Sequence, residues 1–435
     1  MTMASQEAAI ISKIRRHIVP LLMLCYFAAY LDRVNLSFAA LSMNEELGFT
    51  PAVFGAGAGI FFLGYVLFEV PSNLALRRFG ARRWFARIML TWGVLSLMFA
   101  FVRTTPQFMG LRFLLGVAEA GFFPGVMFFL TQWFPATHRA RMIGAFAVAI
   151  PASAGIGAPL SGLLLNLHGA GGLSGWQWLF IIEAVPSLVL GVVLLRTLAD
   201  SPSEAAWLDD EERRWLSTRL ADERRALPPG DGHAGAWRAL CNPRVWALGF
   251  VYCGIVAANY GVTFFLPQIV RAFGASFTAV GFMSALPFVA AAIGVLWWGA
   301  RSDRLRERRW HLMIPGMVAV LALIVVALTD YPPVRLAALI AGGFGAFANL
   351  PVFWALTPTL LAQAEAAAGI AVVSSIGNIA GFLAPYAVGV LKQATGTFAS
   401  GMLGLAGFIV VTLIVAAVLL RTRREGASLA SRAAP

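Results

Sequence analysis

The sequence GLRFLLGVAEAGFFPGVMFFL, residues 110–130, is apolar along its whole length except for Arg112 and Glu119. A second apolar stretch, near the N-terminus, contains the adjacent pair Asp32 and Arg33. An ionisable side chain at the centre of a bilayer typically costs at least about 2.5 kcal/mol, so such residues usually face an internal cavity and mark function. The two acid–base sets therefore predict a polar cavity inside a membrane protein, with solute transport as its role.

The composition of the whole chain also predicts a protein that crosses the membrane many times. Of its 435 residues, 59% are hydrophobic and 12% are charged, whereas a soluble domain usually carries about 25% charged residues. A helix needs about 20 mostly apolar residues to cross the hydrocarbon, and the sequence supplies twelve such segments. We number them span 1 to span 12. Their predicted centres are Cys25, Phe62, Trp92, Gly121, Ser153, Pro186, Ala258, Pro287, Leu321, Gly345, Gly377 and Val410.

The basic residues predict the orientation in the membrane. The net charge is +12, and the arginines cluster at span ends that alternate along the chain, as the positive-inside rule describes. We therefore expect a multi-pass protein of the bacterial cytoplasmic (inner) membrane with both termini in the cytoplasm. The lipid bilayer rather than a nucleic acid accounts for the basic clusters. We expect a monomer that needs no cofactor and no metal.

Internal similarity predicts the architecture. The segment AGFFPGVMFFL (120–130) aligns with AFANLPVFWAL (346–356), and GAPLSG (157–162) aligns with LAPYAVG (383–389), as in transporters built from repeats. The predicted fold is an all-α integral membrane protein with two pseudo-symmetric six-helix bundles. Its predicted parts are a cytoplasmic N-terminal segment (1–16), the first bundle (17–198), a cytoplasmic linker with an amphipathic helix (199–242), the second bundle (243–421) and a cytoplasmic tail (422–435).

Span 1 contains the polar sequence Tyr30-Leu31-Asp32-Arg33-Val34-Asn35. At 3.6 residues per turn, Tyr30 and Arg33 share one face, and Asp32 and Asn35 lie beside it. One interpretation is that the adjacent Asp32 and Arg33 neutralise each other as a structural pair. The other is that Asp32 exchanges a proton while Arg33 tunes it or contacts an anionic substrate.

Span 4 places Arg112, Gly116 and Glu119 on one helical face. The two charges are separated by about 10.5 Å of helical rise, which is too far for a direct contact. Each therefore needs a partner on another helix or a ligand, and Gly116 permits close approach of a neighbouring span. A guanidinium matches a carboxylate through two hydrogen bonds, so Arg112 is the first candidate for binding a substrate anion. Glu119 is the first candidate for a proton site, and a purely structural network is the alternative.

Further polar residues lie nearer the cytoplasmic ends. Tyr65 and Glu69 are one turn apart on span 2, where Tyr65 faces the predicted cavity and Glu69 is expected to act as a gate or to pair with neighbouring arginines. In the loop GARSDRLRERRW (299–310), Asp303 and Arg304 are expected to act in gating, with Asp303 forming a switchable salt bridge. The second half lacks the buried charges of the first. It offers Trp354 as an aromatic cavity wall.

These motifs resemble the major facilitator superfamily and, within it, the anion:cation symporter family of proton-coupled organic-acid importers. The resemblance covers nearly the whole chain. It rests on YLDRVNLSFA (30–39), FEVPSNLALRRFGARRW (68–84), LRFLLGVAEAGFFPGV (111–126), WFPATHRARMIGAF (133–146) and SPSEAAWLDDEERRWL (201–216). It implies that Asp32 and Glu119 couple protons, that Arg33 and Arg112 contact the substrate carboxylate, and that Tyr65 and Asn378 contribute polar contacts.

The sequence departs from the superfamily pattern in two places. Arg77 stands where the first basic loop usually has an aspartate, and span 5 offers just Ser153 and Ser161 as interior polar side chains. Several substrate hydroxyls would therefore find few partners, and a buried polar group without one loses about 1 to 3 kcal/mol. We expect a compact mono- or dicarboxylate with an apolar or aromatic body.

Two other functions compete with proton-coupled import. An anion exchanger or efflux carrier without proton coupling would need the arginines but not the buried acids. A membrane-embedded enzyme is disfavoured because the five histidines are scattered over helix ends and loops and form no catalytic or metal-binding cluster.

Overall fold

The computed structural model describes residues 3–147, 149–226, 232–361 and 366–432. Long helices dominate both halves of the chain. In the first half they are Met3–Glu46, Pro51–Phe79, Ala81–Phe99, Thr105–Glu119 with Phe122–Trp133, Ala149–Leu164 and Gly175–Thr197. In the second half they are Pro243–Thr263, Phe277–Ile293 with Gly299–Leu305, Arg309–Leu328, Pro332–Leu360, Ala366–Thr395 and Ala399–Arg432. These helices form spans 1 to 12 in order.

Eleven of the twelve helical segments are long and apolar enough to cross a membrane. The remaining one, span 3, carries Arg82, Arg83 and Arg87 in its first two turns. It nevertheless packs tightly within the first half, since Gly93 lies against Leu188 of span 6. The all-α fold with twelve long helices in two halves is confirmed.

Local sequence signals explain where several spans begin. The Thr50 hydroxyl accepts a hydrogen bond of 3.2 Å from the backbone N–H of Val53, and Pro51 follows directly as the first helical residue of span 2. Asn242 caps span 7 in the same way, with Pro243 next. A capping side chain satisfies a free N–H of the first turn, and proline at the first position loses no helical hydrogen bond.

Span 4 is broken in the middle, and the break positions Glu119. The helix stops at Glu119 and restarts at Phe122, with Gly121 in the left-handed region at φ 82°. Glycine adopts this conformation without steric cost. Pro124 lies in the first turn of the new helix, where its missing N–H is tolerated. Glu119 is thus the last residue of a helix that ends inside the bundle.

The two halves meet at the end that lies away from the linker. There Gly59 of span 2 packs on Phe382 of span 11, and an added Cβ on Gly162 of span 5 would lie 2.9 Å from the Cα of Gly281 of span 8. Toward the linker end, a separate hydrophobic cluster draws its buried side chains from the second half and from Ala239 of the linker. These close contacts between the halves thus lie at the end away from the linker.

The linker helix Asp210–Ala226 packs against the first half. Lys13 Nζ lies 2.6 Å from the Glu212 carboxylate, and the Trp207 ring stacks on His17 at 4.4 Å. The helix is amphipathic, and its apolar side is buried. Leu216 and Leu220 of this helix are buried, and so is Leu208, which precedes it in the chain. Residues 227–231 of the predicted linker and 433–435 of the predicted tail lie outside the described residues.

Gly116 brings spans 2 and 4 into backbone contact, as its place in the sequence predicts. An added Cβ would overlap the carbonyl oxygen of Phe61 and lie 3.0 Å from the backbone nitrogen of Tyr65. Both obstacles involve backbone atoms that cannot rotate away. Spans 2 and 4 would have to separate to admit even one methyl group.

Gly116→Ala is therefore expected to lower the melting temperature in detergent, since overpacking costs about 1–3 kcal/mol. Gly110→Ala is the matched control, because Gly110 lies in the same helix with open space where its Cβ would be. Alanine in a helix interior is favoured over glycine by roughly 0.5–1 kcal/mol, so the control should hold or raise the melting temperature. Equal melting temperatures for the two variants would contradict the tight contact.

Candidate substrate and proton site

Arg33 and Glu119 form a two-bonded ion pair between spans 1 and 4. Arg33 donates from Nη2 to Glu119 Oε1 and from Nε, at 3.4 Å, to Oε2. Its remaining nitrogen, Nη1, donates to the hydroxyl of Tyr260 on span 7 at 3.0 Å. The Glu119 side chain is 2% exposed and that of Arg33 is 11% exposed. The pair is thus nearly dry, and Arg33 links the first half to the second.

Aromatic rings surround the Arg33 guanidinium. Its central carbon lies 5.6 Å from the ring centre of Tyr30, 5.2 Å from that of Phe61 and 5.8 Å from that of Tyr65. The electron-rich ring faces attract a cation, by about 2 kcal/mol or more where water is excluded. This cage fixes the fork of Arg33 in the gap between the halves.

Asp32 points away from Arg33, into the first half. Its carboxylate accepts hydrogen bonds from the Asn35 amide at 2.9 Å, from the Trp92 indole at 2.7 Å and from the Ser96 hydroxyl. Trp92 and Ser96 are one turn apart on span 3. Asp32 therefore ties span 1 to span 3, and the adjacent Asp32 and Arg33 serve different partners instead of neutralising each other.

Arg112 is fully buried against the backbone of span 2. Its Nε donates to the carbonyl of Gly57 at 3.0 Å and its Nη2 to that of Ala58 at 3.2 Å. Its guanidinium carbon lies 5.0 Å from the ring centre of Phe61, the same ring that packs on Arg33. Both span 4 charges thus have partners on other helices. In this conformation Arg33 offers its guanidinium toward the second half, whereas Arg112 does not.

The predicted residues of the second half lie in an aromatic group. Trp354 of span 10 packs on Tyr252 of span 7, with ring centres 4.8 Å apart. Gly377 of span 11 packs on the same tyrosine, and the adjacent Asn378 is half-buried. Among the described contacts, neither Trp354 nor Asn378 touches Arg33. Tyr260 is the residue of the second half that does.

Glu69 is half-buried on span 2, and the described residues give it no basic partner. Among the described residues, no arginine, lysine or histidine lies within 4 Å of its carboxylate, so the predicted pairing with neighbouring arginines is wrong for this conformation. The nearest arginine along the helix, Arg77, lies over the ring of Phe128 instead. Eight residues of helix separate Glu69 from Arg77, about 12 Å of rise. A gating role for Glu69 stays a prediction.

The loop after span 8 is held together by its own residues. Asp303 pairs with Arg308 at 2.6 Å, and both Asp303 and Arg304 are exposed. Burial alone would raise the pKa of Glu307, but hydrogen bonds from the N–H groups of Trp310 and His311 and from the His311 ring hold that pKa below its ordinary value. Asp303 thus has its partner within the loop, and its latch across helices stays a prediction.

Sequence reasoning missed three residues of this site. Trp92 and Ser96 bind Asp32, and Glu183 of span 6 is a further buried carboxyl, 1% exposed. Glu183 follows the rule that drew attention to Asp32 and Glu119, since it is a lone acid in the apolar sequence LFIIEAVPSL (179–188). Trp92 and Ser96 carry no comparable signal, because tryptophan and serine are ordinary in membrane helices.

A pocket-shaped cavity lies elsewhere, among spans 7 to 10. Its walls include Phe288, Phe347 and Ala319, and they are almost entirely apolar. An apolar pocket offers no donors to a carboxylate. The buried guanidinium groups of the described residues, Arg33 and Arg112, lie on spans 1 and 4, outside the lining of this cavity.

An acid and a base paired inside a bundle of long apolar helices are typical of membrane transport proteins. The comparisons agree. The family model described as Major Facilitator Superfamily matches residues 22–385 and, in a second match, 248–435. The chain belongs to the major facilitator superfamily, and it is a transporter rather than an enzyme.

Relatives and solved structures refine this placement. A "Putative tartrate transporter" of Agrobacterium vitis is 46% identical over 419 residues, covering 96% of each chain. A "Quinolone resistance transporter" of Acinetobacter baumannii is 40% identical and covers 91% of each. The crystal structure of a bacterial homologue of the human lysosomal transporter Spinster, inward-facing and occupied, has a TM-score of 0.77 at 17% identity, covering 94% of this chain and 97% of that one. At that identity the structure shows the fold alone.

Proposed function

We propose that the protein imports a small organic anion together with protons by alternating access. The observation that carries this proposal is the Arg33–Glu119 pair, in which the carboxylate of the protein occupies the fork where a substrate carboxylate would bind. Two carboxylates cannot both take the same two donors of one guanidinium. Anion binding and the protonation of Glu119 are then linked by competition.

The cycle follows from that competition. While Glu119 is ionised, it holds Arg33 and keeps the substrate out. When a proton neutralises Glu119, the pair weakens and the substrate carboxylate takes over the fork, because bonds between a guanidinium and a charged carboxylate are roughly twice as strong as those to neutral acceptors. Tyr260 then connects the loaded Arg33 to the second half. Loading with both ligands favours closure, and release of the proton expels the anion.

Asp32 and Arg112 support this switch. Asp32 is the second proton-coupling candidate, and its three donors mean that its protonation would loosen span 1 from span 3. Arg112, predicted first as the substrate ligand, becomes the second candidate behind Arg33 because its donors are taken by backbone carbonyls. The positive charge of Arg112 interacts electrostatically with the carboxyl groups of Asp32 and Glu119. We assign the linker end to the cytoplasmic side of a bacterial inner membrane.

The proposed substrate is a compact carboxylate with one or two acid groups. The rings of Tyr30, Phe61 and Tyr65 pack around Arg33, and the Tyr260 hydroxyl already accepts a hydrogen bond from it. The Ser153 hydroxyl is taken by the carbonyl of Phe27, and the Ser161 hydroxyl by Glu183. Span 5 therefore has no free serine hydroxyl at these positions for a polyhydroxylated sugar acid. The name of the 46% identical relative, tartrate transporter, supports a small dicarboxylate.

The substrate class can be tested by uptake competition in proteoliposomes. With an inward proton gradient, labelled tartrate is expected to accumulate, and unlabelled tartrate and small aromatic acids should inhibit better than gluconate or glucuronate. Preferential inhibition by the sugar acids would overturn the substrate class. Because one relative is named for quinolone resistance, a quinolone is included. Proton-driven quinolone movement in the opposite direction, without tartrate uptake, would favour efflux instead.

A further inference from the structure

Glu183 is a buried carboxyl that the proposed cycle does not use. It lies in the middle of span 6, and its Oε1 accepts a hydrogen bond of 2.8 Å from the Ser161 hydroxyl of span 5. Its Oε2 has no hydrogen-bond partner, although it is completely buried. Among the described residues, no lysine, arginine or histidine forms an ion pair with it. An ionised carboxylate with one hydroxyl donor in this setting would be several kcal/mol less stable than in water.

The buried charges of the first half give an independent reason to doubt that Glu183 is ionised. Among the described residues of the first half, the fully buried charged side chains are Arg112, Asp32, Glu119 and Glu183, and the Arg33 side chain beside them is 11% exposed. If all three carboxyls were ionised, one negative charge would be uncompensated in a low-dielectric interior. One bound proton restores neutrality.

The hydrogen-bond pattern indicates which carboxyl holds that proton. Asp32 accepts three donors and Glu119 accepts the fork of Arg33, as ionised carboxylates do, whereas Glu183 accepts one. The amide oxygen of Asn35 is also buried without a donor, and the Asn35 side chain lies close enough to Glu183 for the two groups to interact. A proton on Oε2 would supply the missing donor to the missing acceptor. One proton thus satisfies two buried atoms that are otherwise unpaired.

We propose that Glu183 is a proton-binding site of the first half, separate from Glu119, and that it stays protonated while Asp32 and Glu119 are ionised. The chain Glu183–Asn35–Asp32 then runs from span 6 to span 1, with Asn35 accepting from Glu183 and donating to Asp32. The contribution of Glu183 to proton coupling rests on the proposed function. A first half that is electrically neutral can move between two states without carrying an unpaired charge through the bilayer.

The neighbours of Glu183 are consistent with this assignment. Among the described residues, Asp32 of span 1 is the charged group that interacts electrostatically with Glu183. If both carboxyls were ionised, they would repel each other. Span 5 contributes the Ser161 hydroxyl, and Ser187, one turn later on span 6, is buried and uncharged. Span 3 faces this region with Ser96, which binds Asp32. The electrostatic interaction of Arg112 is with Asp32 rather than with Glu183.

The assignment is tested by infrared spectroscopy of purified full-length protein at neutral pH without substrate. A protonated carboxyl has a C=O stretch separate from that of a carboxylate. Wild type should show this band, and Glu183→Gln should lose the intensity of one carboxyl. Glu119→Gln and Glu46→Gln, the latter at a partly exposed glutamate, should keep it. Glutamine preserves the shape and gives Asn35 an N–H donor, so the variant should fold, which its melting temperature checks.

Two outcomes would overturn the assignment. A band unchanged in Glu183→Gln shows that Glu183 holds no proton. A band that survives there but disappears in Asp32→Asn puts the proton on Asp32. Because no substrate or gradient is involved, this result is independent of the uptake experiments. Proton-coupled transport can fail while the band behaves as expected. Equally, the band can stay unchanged in Glu183→Gln while transport is proton-coupled.

Discussion

Glu119→Gln is expected to abolish the uphill accumulation of substrate under a proton gradient while leaving substrate exchange in place. The amide has the shape of the protonated acid but cannot release a proton, so Arg33 stays available to the anion at every pH. Wild-type binding should weaken as the pH rises and Glu119 reclaims the fork. Coupling between two ligands is typically about 1–3 kcal/mol, or roughly 5- to 150-fold in affinity, and the variant should lose this pH dependence.

The measurement combines labelled uptake with calorimetric binding at acid and alkaline pH. Glu46→Gln is the matched control, since Glu46 bonds to Ser174 and Trp176 at the far end of span 1 and should transport normally. Full accumulation by Glu119→Gln, with the pH dependence of wild type, would remove Glu119 from the coupling step.

The sequence was informative about which residues matter because burying a charge is costly, and the cost is visible without a structure. Asp32, Arg33, Arg112 and Glu119 stand out against apolar neighbours, and the structure buries all four wholly or nearly so. The same rule applies to Glu183, which was overlooked although nothing in its surroundings hides it. The number and order of the spans follow from hydrophobic length in the same direct way.

Pairing could not be read from the sequence, because it depends on how helices rotate against one another. Arg33 and Asp32 are adjacent in the chain, yet successive residues on a helix point about 100° apart, so one reaches span 4 and the other span 3. The break at Gly121 ends the helix at Glu119, and the contact of Gly116 with span 2 sets the depth at which span 4 sits. These backbone details place Glu119 at the fork of Arg33.

The second half contributes uncharged side chains near this site. Span 7 supplies Tyr260, whose hydroxyl accepts from Arg33, and span 10 supplies Trp354 beside Tyr252. Among the described residues, the buried charges around Arg33 thus belong to the first half, and the second half contributes the uncharged Tyr260 hydroxyl.

Arg33→Lys is expected to weaken substrate binding by about 10- to 150-fold, since it keeps the charge but removes the fork. Lysine has one ammonium group and cannot donate to a carboxylate through two parallel N–H groups while also reaching Tyr260. Losing one hydrogen bond to a charged partner costs about 1.5–3 kcal/mol, and each 1.4 kcal/mol is tenfold in affinity. Calorimetric binding of tartrate at acid pH measures the change, with Glu119 protonated so that its competition does not enter.

Arg112→Lys distinguishes a substrate ligand from a structural arginine. Because Arg112 donates to the carbonyls of Gly57 and Ala58, its replacement should lower the melting temperature and change the dissociation constant less than Arg33→Lys does. Tyr260→Phe removes the bond to the second half and should slow transport more than it weakens binding. If Arg112→Lys loses affinity while Arg33→Lys binds as wild type, the anion site lies at span 4, and the competition between Glu119 and substrate for one guanidinium is refuted, since a carboxylate bound at Arg112 would leave the Arg33–Glu119 pair intact.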